Sequence, residues 1–576
     1  MTEIETPAAT VKDSNVPMIE TPATCLVKID NQEIKHRISS VRLDQYINKH
    51  HELQVRLKQS GEAAAEVDFD DPSNYTGFLG QSISLTITPS GGIIDQAREL
   101  EFVGVVTELK LENSIDGLNT VLIIAKSPTI ALDGAPQITY TEEQTASDII
   151  GSIISNYPIT RGDIESTSDT IKYSVQYNET DYEYISRLAE DTGKFAYYDG
   201  KEFRLQSSSG SSSEELVWRV SLGSFSMGLG TAPSQFGSKS WGYEDKATVS
   251  GEADSSSLRS SPSELPRVSI DASDTVYGKA GYIHTLEAAD QSSLDSKLSR
   301  LVESQVGRMV DCVGESIVPA IKVGHCVQIN NMLNLDGPYW VREVNHVFSE
   351  SGKYHNRFVS SPLDVSFPVR SSARAVLTKL QSAVVTDLDD PDGLGRIKVE
   401  IPALNIETLW VRYLSQHAGG DHGLVCLPEI DDEVLIGWEN GSPDLPIALG
   451  SVYNGVDMGP HTPDGENEVK VLLTKGGNEI RFTDTGGEEE IKITTKDGEN
   501  QIVLNMSGPS ITIESEGDIS LKGKNVTIES TEQMDIISGA AMNVEASGDL
   551  TAESGVNVNI EASAQCNVKG ATINLN

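Results

Sequence analysis

The sequence contains no apolar run approaching the roughly 18 residues that cross a bilayer as a helix. Its opening, MTEIETPAATVKD, lacks the basic stretch and apolar core of a secretory leader, so synthesis in the cytoplasm without a signal peptide is expected. Cysteine is scarce: Cys25, Cys312, Cys326, Cys426 and Cys566 are odd in number and scattered, which excludes a disulfide framework and fits reduced thiols. Positive charge is scarce too. With 44 basic against 86 acidic residues the net charge is −42, a field that repels phosphate backbones and anionic lipid headgroups and argues against nucleic acid or a membrane surface as the main partner. No G-x-S-x-G, H-E-x-x-H or P-loop pattern occurs, and His51-Glu52 lacks a second histidine at helical spacing, so catalysis has no residues to stand on. Aromatic side chains stop at Phe482, and any core beyond it must be slim.

What is present reads as mainly β. A chain of 576 residues exceeds one hydrophobic core and suggests about three or four domains. Residues 1–20 are polar, acidic and proline-bearing, and read as a flexible tail. FVGVVTELKLE (102–112) and NTVLIIAK (119–126) read as paired strands around a turn at Asn113 to Gly117. In TDYEYISRLAEDTGKFAYYDGKEFRL, Thr180 and Glu183 form a capping box. Tyr182, Ile185, Leu188 and Ala189 share a helical face, and Gly193 stands at the C-terminal cap. FAYY and KEFRL then read as a tight hairpin about Asp199-Gly200. SSSGSSS (207–213) and SSSLRSSPS (255–263) read as surface loops. From Val376 to Gly455 the short runs RIKVEI, LWVRYL, GLVCLP, DEVLIGW and IALGSVY, with Asn440-Gly441 as a hairpin signal, suggest a small closed barrel.

From about Glu468 apolar residues come in pairs two apart, which puts both on one face of a strand: Ile480/Phe482, Ile491/Ile493, Ile502/Leu504. The pairs then lock into an octad: Ile511/Ile513, Ile519/Leu521, Val526/Ile528, Met534/Ile536, Met542/Val544, Leu550/Ala552, Val558/Ile560, Cys566/Val568 and Ile573/Leu575, with two steps of seven. A lone strand cannot bury such a face, so the octads must stack into a rod with the pairs inward. Periodicity leaves open whether three octads of one chain form three walls or three chains supply one wall each.

Several clusters invite a sharper reading. Asp387, Asp389, Asp390 and Asp392 fail the calcium-loop spacing because Pro391 and Gly393 occupy ligand positions, and a structural turn is expected. His417, His422 and Cys426 lack an evident fourth ligand and read as a surface loop. Cys312, His325 and Cys326 lie in strand-like sequence, where packed thiols fit better than zinc. Cys566, at an inward octad position, reads as a buried apolar side chain. The barrel segment from Val376 to Pro460 holds four basic and fourteen acidic residues, a net of −10, which disfavours nucleic acid there.

The barrel segment also carries a resemblance. DPDGLGRIKVEIPAL (390–404), LWVRYL and LVCLPEIDDEVLIGWENGSPDLPIALGSVYNG (424–455) hold D-P-x-G-x-G-R, L-P-E-x-x-D-E-V and L-G-S-V-Y-N-G in order. This resembles VgrG-like spike proteins of contractile injection systems, which are related to phage tail hubs and spikes. QYNETDYEYISRLAEDTG (176–193) is similar to the hub that precedes the barrel in that family.

The resemblance implies a mainly β fold with an α+β hub: a tail-hub domain at 21–370, an OB-fold barrel at 371–465, and at 466–576 a triple-stranded β-helix needle formed in a homotrimer. It implies docking of the hub under an inner tube protein among baseplate proteins, and a PAAR-type tip protein on Ile573, Leu575 and Asn576. The particle would puncture a target envelope mechanically, be delivered outward or released on firing, and need no cofactor. Only Val456 to Val469 separates barrel from rod, so no enzyme domain is expected there, and effectors would have to be held noncovalently. No histidine follows His461, which leaves a histidine-ligated metal at the rod end without ligands. The competing reading is a monomeric β-solenoid adhesin or carbohydrate-binding protein that uses the barrel as its site.

Overall fold

The computed structural model describes residues 19–34, 37–58, 73–92, 94–112, 120–208, 213–260, 264–278, 281–283, 291–368, 376–463 and 465–574. Most of the tail at 1–20 and the turn at Asn113 to Gly117 lie outside them. The chain divides into two compact units between Met458 and Gly459.

In the first unit eight antiparallel strands close a barrel. Around it run Gly337–Ser349, Arg37–Tyr46, Glu52–Lys58, Thr120–Lys126, Leu100–Glu112, Ser82–Pro89, Thr21–Ile29 and Lys353–Pro362, the last pairing back onto the first. Strict alternation is the cause: Val41 and Leu43, Leu53, Val55 and Leu57, and Ile83, Leu85 and Ile87 point inward, with polar side chains between them. The 102–112 and 119–126 runs pair as expected. Gly337–Ser349 and Lys353–Pro362 also belong to a second barrel, with Cys326–Asn330, Ser213–Val217, Val310–Ser316 and Leu222–Leu229, whose ends meet at a Trp218–Leu222 bridge. Helices Glu264–Tyr277 and Gln291–Val306 pack on its core through Ile270, Leu294, Leu298, Val302 and Val306.

The helix Asp181–Asp191 starts on the Thr180–Glu183 capping box and buries Ile185, Leu188 and Ala189, with Tyr184 in addition. Gly193 has φ +69°, the left-handed conformation that favours glycine at a helix C-terminal cap. The hairpin that follows differs from expectation. Phe195–Tyr198 and Phe203–Gln206 are joined by four residues, 199–202, because the buried Asp199 carboxylate accepts from the N–H groups of Lys201 and Glu202, each at 2.9 Å. The serine patch at 255–263 is also tighter than a loop. Residues Ser255–Ser260 form a 3₁₀ turn with Ser255 buried and Leu258 against the second barrel's core.

The small barrel is present. Gln381–Asp387, Lys398–Ile401, Ile406–Glu407, Arg412–Tyr413, Glu433–Trp438 and Pro446–Ser451 form one sheet that an Ile397–Val411 bridge closes around Ala383, Val385, Val399, Ile401, Val434, Ile436 and Ala448. GLVCLP is not one of its strands. Only His422–Gly423 pair, with Ala418–Gly419, and Leu424, Val425 and Cys426 are exposed. The strand that takes its place is Gln381–Asp387, whose buried side chains are small or short.

The second unit opens with five antiparallel strands in sequence order, Val469–Leu473, Glu479–Thr483, Glu490–Thr494, Asn500–Asn505 and Ser510–Ser515. Their register puts Leu472, Ile480, Ile493, Ile502 and Ile513 in one row and Phe482, Ile491, Leu504 and Ile511 in the next, on one face as the two-residue spacing predicts.

Candidate functional site

The candidate ligand clusters resolve into structure. Asp390 takes the N–H groups of Asp392, Leu394 and Arg396 at 2.9–3.2 Å and pairs with the Arg396 guanidinium at 2.6 Å, with side chains only 4% and 8% exposed. Gly393 (φ +64°) and Gly395 (φ +71°) let the loop wrap the carboxylate, which explains the D-P-x-G-x-G-R spacing. The hydrogen bonds from Arg396 hold the Asp390 carboxyl at about 2, below the usual carboxylate range. Asp390→Ala leaves the buried guanidinium without its main counter-charge. Chemical denaturation followed by tryptophan fluorescence should show a loss of about 3–5 kcal/mol in barrel stability. An unchanged midpoint would contradict this.

Burial pushes the thiols of Cys312 and Cys25 up to about 12, making them inert. His417 and His422 lie side by side on the exposed hairpin, ring centroids 5.2 Å apart, and His422 donates through Nδ1 to the Gly420 carbonyl at 2.7 Å. Among the described residues no group of three or more His, Cys, Asp or Glu is placed to hold a metal.

Hub and barrel are joined by specific contacts. Tyr173 and Val175, on the two-stranded hub sheet Gln137–Thr145/Thr170–Glu179, pack on Ile406 of the barrel. The Val175 N–H donates to Asp444 Oδ1 at 2.7 Å and the Tyr173 hydroxyl to the Glu407 carbonyl at 3.3 Å. The Arg412 guanidinium lies 4.6 Å from the ring centre of Tyr243, itself hydrogen-bonded to Arg396. Sequence reading missed this joint, since no local periodicity ties residue 175 to residue 444.

The remaining feature is the apolar surface of the second unit. Ile511 and Ile513 end the five-stranded face, and Ile519 continues it. Beyond Ser515 the chain bends at 516–517, 524–525, 531–532, 539–540, 547–548, 555–556, 563–564 and 571–572, the octad written into the backbone. Every described residue from 516 to 574 is exposed. Leu521, Val526, Ile528, Met534, Ile536, Met542, Val544, Leu550, Val558, Ile560, Cys566, Val568 and Ile573 therefore all lie open, with Val544 at 68% and Ile560 at 77%. Leu575 and Asn576 lie outside the described residues. One chain does not stack its own octads into three walls, so an apolar stripe the length of the rod is left uncovered.

Comparison with known proteins gives two family matches. Residues 46–352 match the phage tail baseplate hub (GPD) family, and residues 381–453 match the type VI secretion system/phage-baseplate injector OB domain. The actin cross-linking toxin VgrG1 of Vibrio cholerae is 22% identical over 367 residues, 58% of this chain and 33% of the toxin. The type VI secretion system spike protein VgrG5 of Pseudomonas aeruginosa is 31% identical over 119 residues, 19% of this chain and 15% of that protein. The matched stretches thus span a third or less of these curated relatives. Among solved structures, the half-lidded Francisella PdpA-VgrG complex aligns with a TM-score of 0.56 at 9% identity, covering 87% of this chain and 89% of that one, a likeness of fold.

Proposed function

The chain belongs to the phage tail baseplate hub family as a VgrG-like spike, and from that premise we propose that it is the central spike of a contractile injection system, acting as a homotrimer that performs no covalent chemistry. The observation that carries this reading is the uncovered octad stripe: apolar pairs repeated over more than 50 residues, every described one exposed in a single chain. Exposed isoleucine and valine at that density would drive aggregation unless other chains cover them, and a three-walled rod of three copies buries every pair on one axis.

Upstream, the two barrels sharing a hairpin suit a ring. Three chains carry six barrels, a match for docking beneath a tube of sixfold symmetry. The joint at Tyr243, Val175 and Asp444 ties that ring to the small barrel, so load on the hub passes to that barrel. Sheath contraction supplies the work, the rod concentrates it on a small area, and rigidity is the active property. The rod's last coil would expose core and unpaired strand edges, which a PAAR-type tip on Ile573, Leu575 and Asn576 would cover. Tube and baseplate proteins are the other partners, with effectors held noncovalently, and the protein leaves the producing cell with the fired particle. The monomeric adhesin reading is disfavoured by the same stripe, which a monomer leaves bare.

Affinity capture of the full chain beside its own tip and tube proteins tests this. Both should co-purify, and truncating the chain before Ile573 should lose the tip protein while keeping the tube protein. Retention of the tip by the truncated chain would contradict the docking assignment.

A further inference from the structure

The second unit falls into two parts that differ in how they are paired. Between Val469 and Ser515 every strand finds its ladder partner within the same chain, while among the described residues no ladder continues past Ser515. The sheet's face is nevertheless open. A groove of about 600 Å³ runs over Leu472, Ile480, Ile493, Ile502, Ile513 and Ile519. Ile519 is also the first octad residue beyond the sheet, so sheet face and rod stripe form one continuous apolar surface.

Periodicity identifies the occupant. The stripe advances by eight residues, with seven-residue steps between Ile519 and Val526 and between Cys566 and Ile573. Only a surface with the same spacing and the same irregular steps stays in register along all the pairs, and a second copy of this chain has both. Resting on the trimeric reading above, we infer that the Val469–Ser515 sheet is the surface on which copies of the chain first meet, and that the rod then closes between chains from Ile519 toward Ile573.

Chain entropy sets this order. The sheet is ordered before association, so bringing three together costs little further backbone freedom, whereas the rod must order every residue of three chains at once. Residues 466–576 carry 8 basic and 19 acidic side chains, a net of −11 per chain, which repels separate rods. Once three sheets are docked the rods are tethered at one end, and their effective concentration makes each next octad a local step.

Full-length protein and three variants test this by mass in solution and amide exchange. Val558→Asp should remain at three chains per particle, keep protection from Ile519 through Leu550, and lose it from Val558 onward. Ile493→Asp should run as one chain with the whole rod unprotected, while the hub barrels keep wild-type protection and show that the variant is folded. Ile502→Ser, a milder change, should slow recovery of the three-chain species from denaturant by about tenfold. The inference is overturned if Ile493→Asp keeps a protected three-chain rod, if Val558→Asp falls to one chain, or if Ile502→Ser recovers at the wild-type rate. One chain per particle for the wild type would instead overturn the trimeric reading itself.

Discussion

Val544→Asp should strip the rod of its resistance to heat and detergent. Val544 sits in the middle of the octad series and is 68% exposed in one chain, so the substitution costs the isolated chain almost nothing. In a three-chain rod it sets three carboxylates near one axis, where each ion meets a desolvation penalty of several kcal/mol and two like charges. Packing on either side is lost as well, since each octad is supported only by its neighbours. Gel mobility of unboiled protein in detergent gives the readout: wild type as a slow three-chain band, the variant with its distal rod digested by protease at a temperature the wild type withstands. Raising the acidity should partly restore the rod as the carboxylates take up protons. Undiminished resistance would mean that Val544 does not face a shared core.

Acid should loosen the hub before it touches most carboxylates. His51 and His346 are fully buried in the first barrel, and burial lowers both to about 3. His346 is held neutral by a chain of hydrogen bonds: Asn356 Nδ2 donates to the Tyr354 hydroxyl at 2.8 Å, that hydroxyl donates to His346 Nδ1 at 2.6 Å, and His346 Nε2 donates to Gln45 at 3.3 Å. His51 donates through Nε2 to the Tyr46 carbonyl at 3.2 Å and lies between Phe102 and Tyr198, with Asp199 the nearby charge that opposes the lowering.

Because the unfolded imidazoles titrate near 6.5 and the folded ones near 3, the unfolded chain binds more protons throughout that window. Stability is therefore complete above pH ~6.5 and falls as pH drops toward 3, by about 1.4 kcal/mol per pH unit for each histidine. Between pH ~6.5 and 5 the pair should cost about 4 kcal/mol, read as a falling denaturant midpoint, and His346→Gln should remove its share of the slope while that of His51, and of His325, which burial lowers to about 4, remains. A midpoint constant from pH 7 to 5 would show that these imidazoles are not buried neutral in the hub.

Local chemistry was legible in the sequence where neighbours decide the conformation. The Thr180–Glu183 box, the Gly193 cap and the rows Ile480/Phe482, Ile491/Ile493 and Ile502/Leu504 follow from spacing alone, and the structure places them as read. The barrel motifs carried more than their turns, since D-P-x-G-x-G-R encodes the Asp390–Arg396 clamp. Long-range pairing was not legible. The hairpin of Gly337–Ser349 and Lys353–Pro362 closes one barrel by pairing with strands some 300 residues upstream and takes part in a second, and nothing local marks it as shared.

GLVCLP misled because an apolar run signals a buried strand only if a sheet lies alongside its length, and here pairing is confined to the exposed hairpin at its first residues. The Asp199-Gly200 hairpin misled because a buried carboxylate wrapped the turn into four residues. The octads were legible as a period, yet a period says nothing of how many chains share it. The exposed stripe of one chain is what turns that question toward assembly.

The account rests on three chains sharing one rod. Light-scattering mass of the purified full-length protein tests it directly, with three chains per particle predicted across dilution at moderate salt. A mass of one chain, 62.2 kDa, from a protein whose rod amides are nonetheless protected, would contradict it.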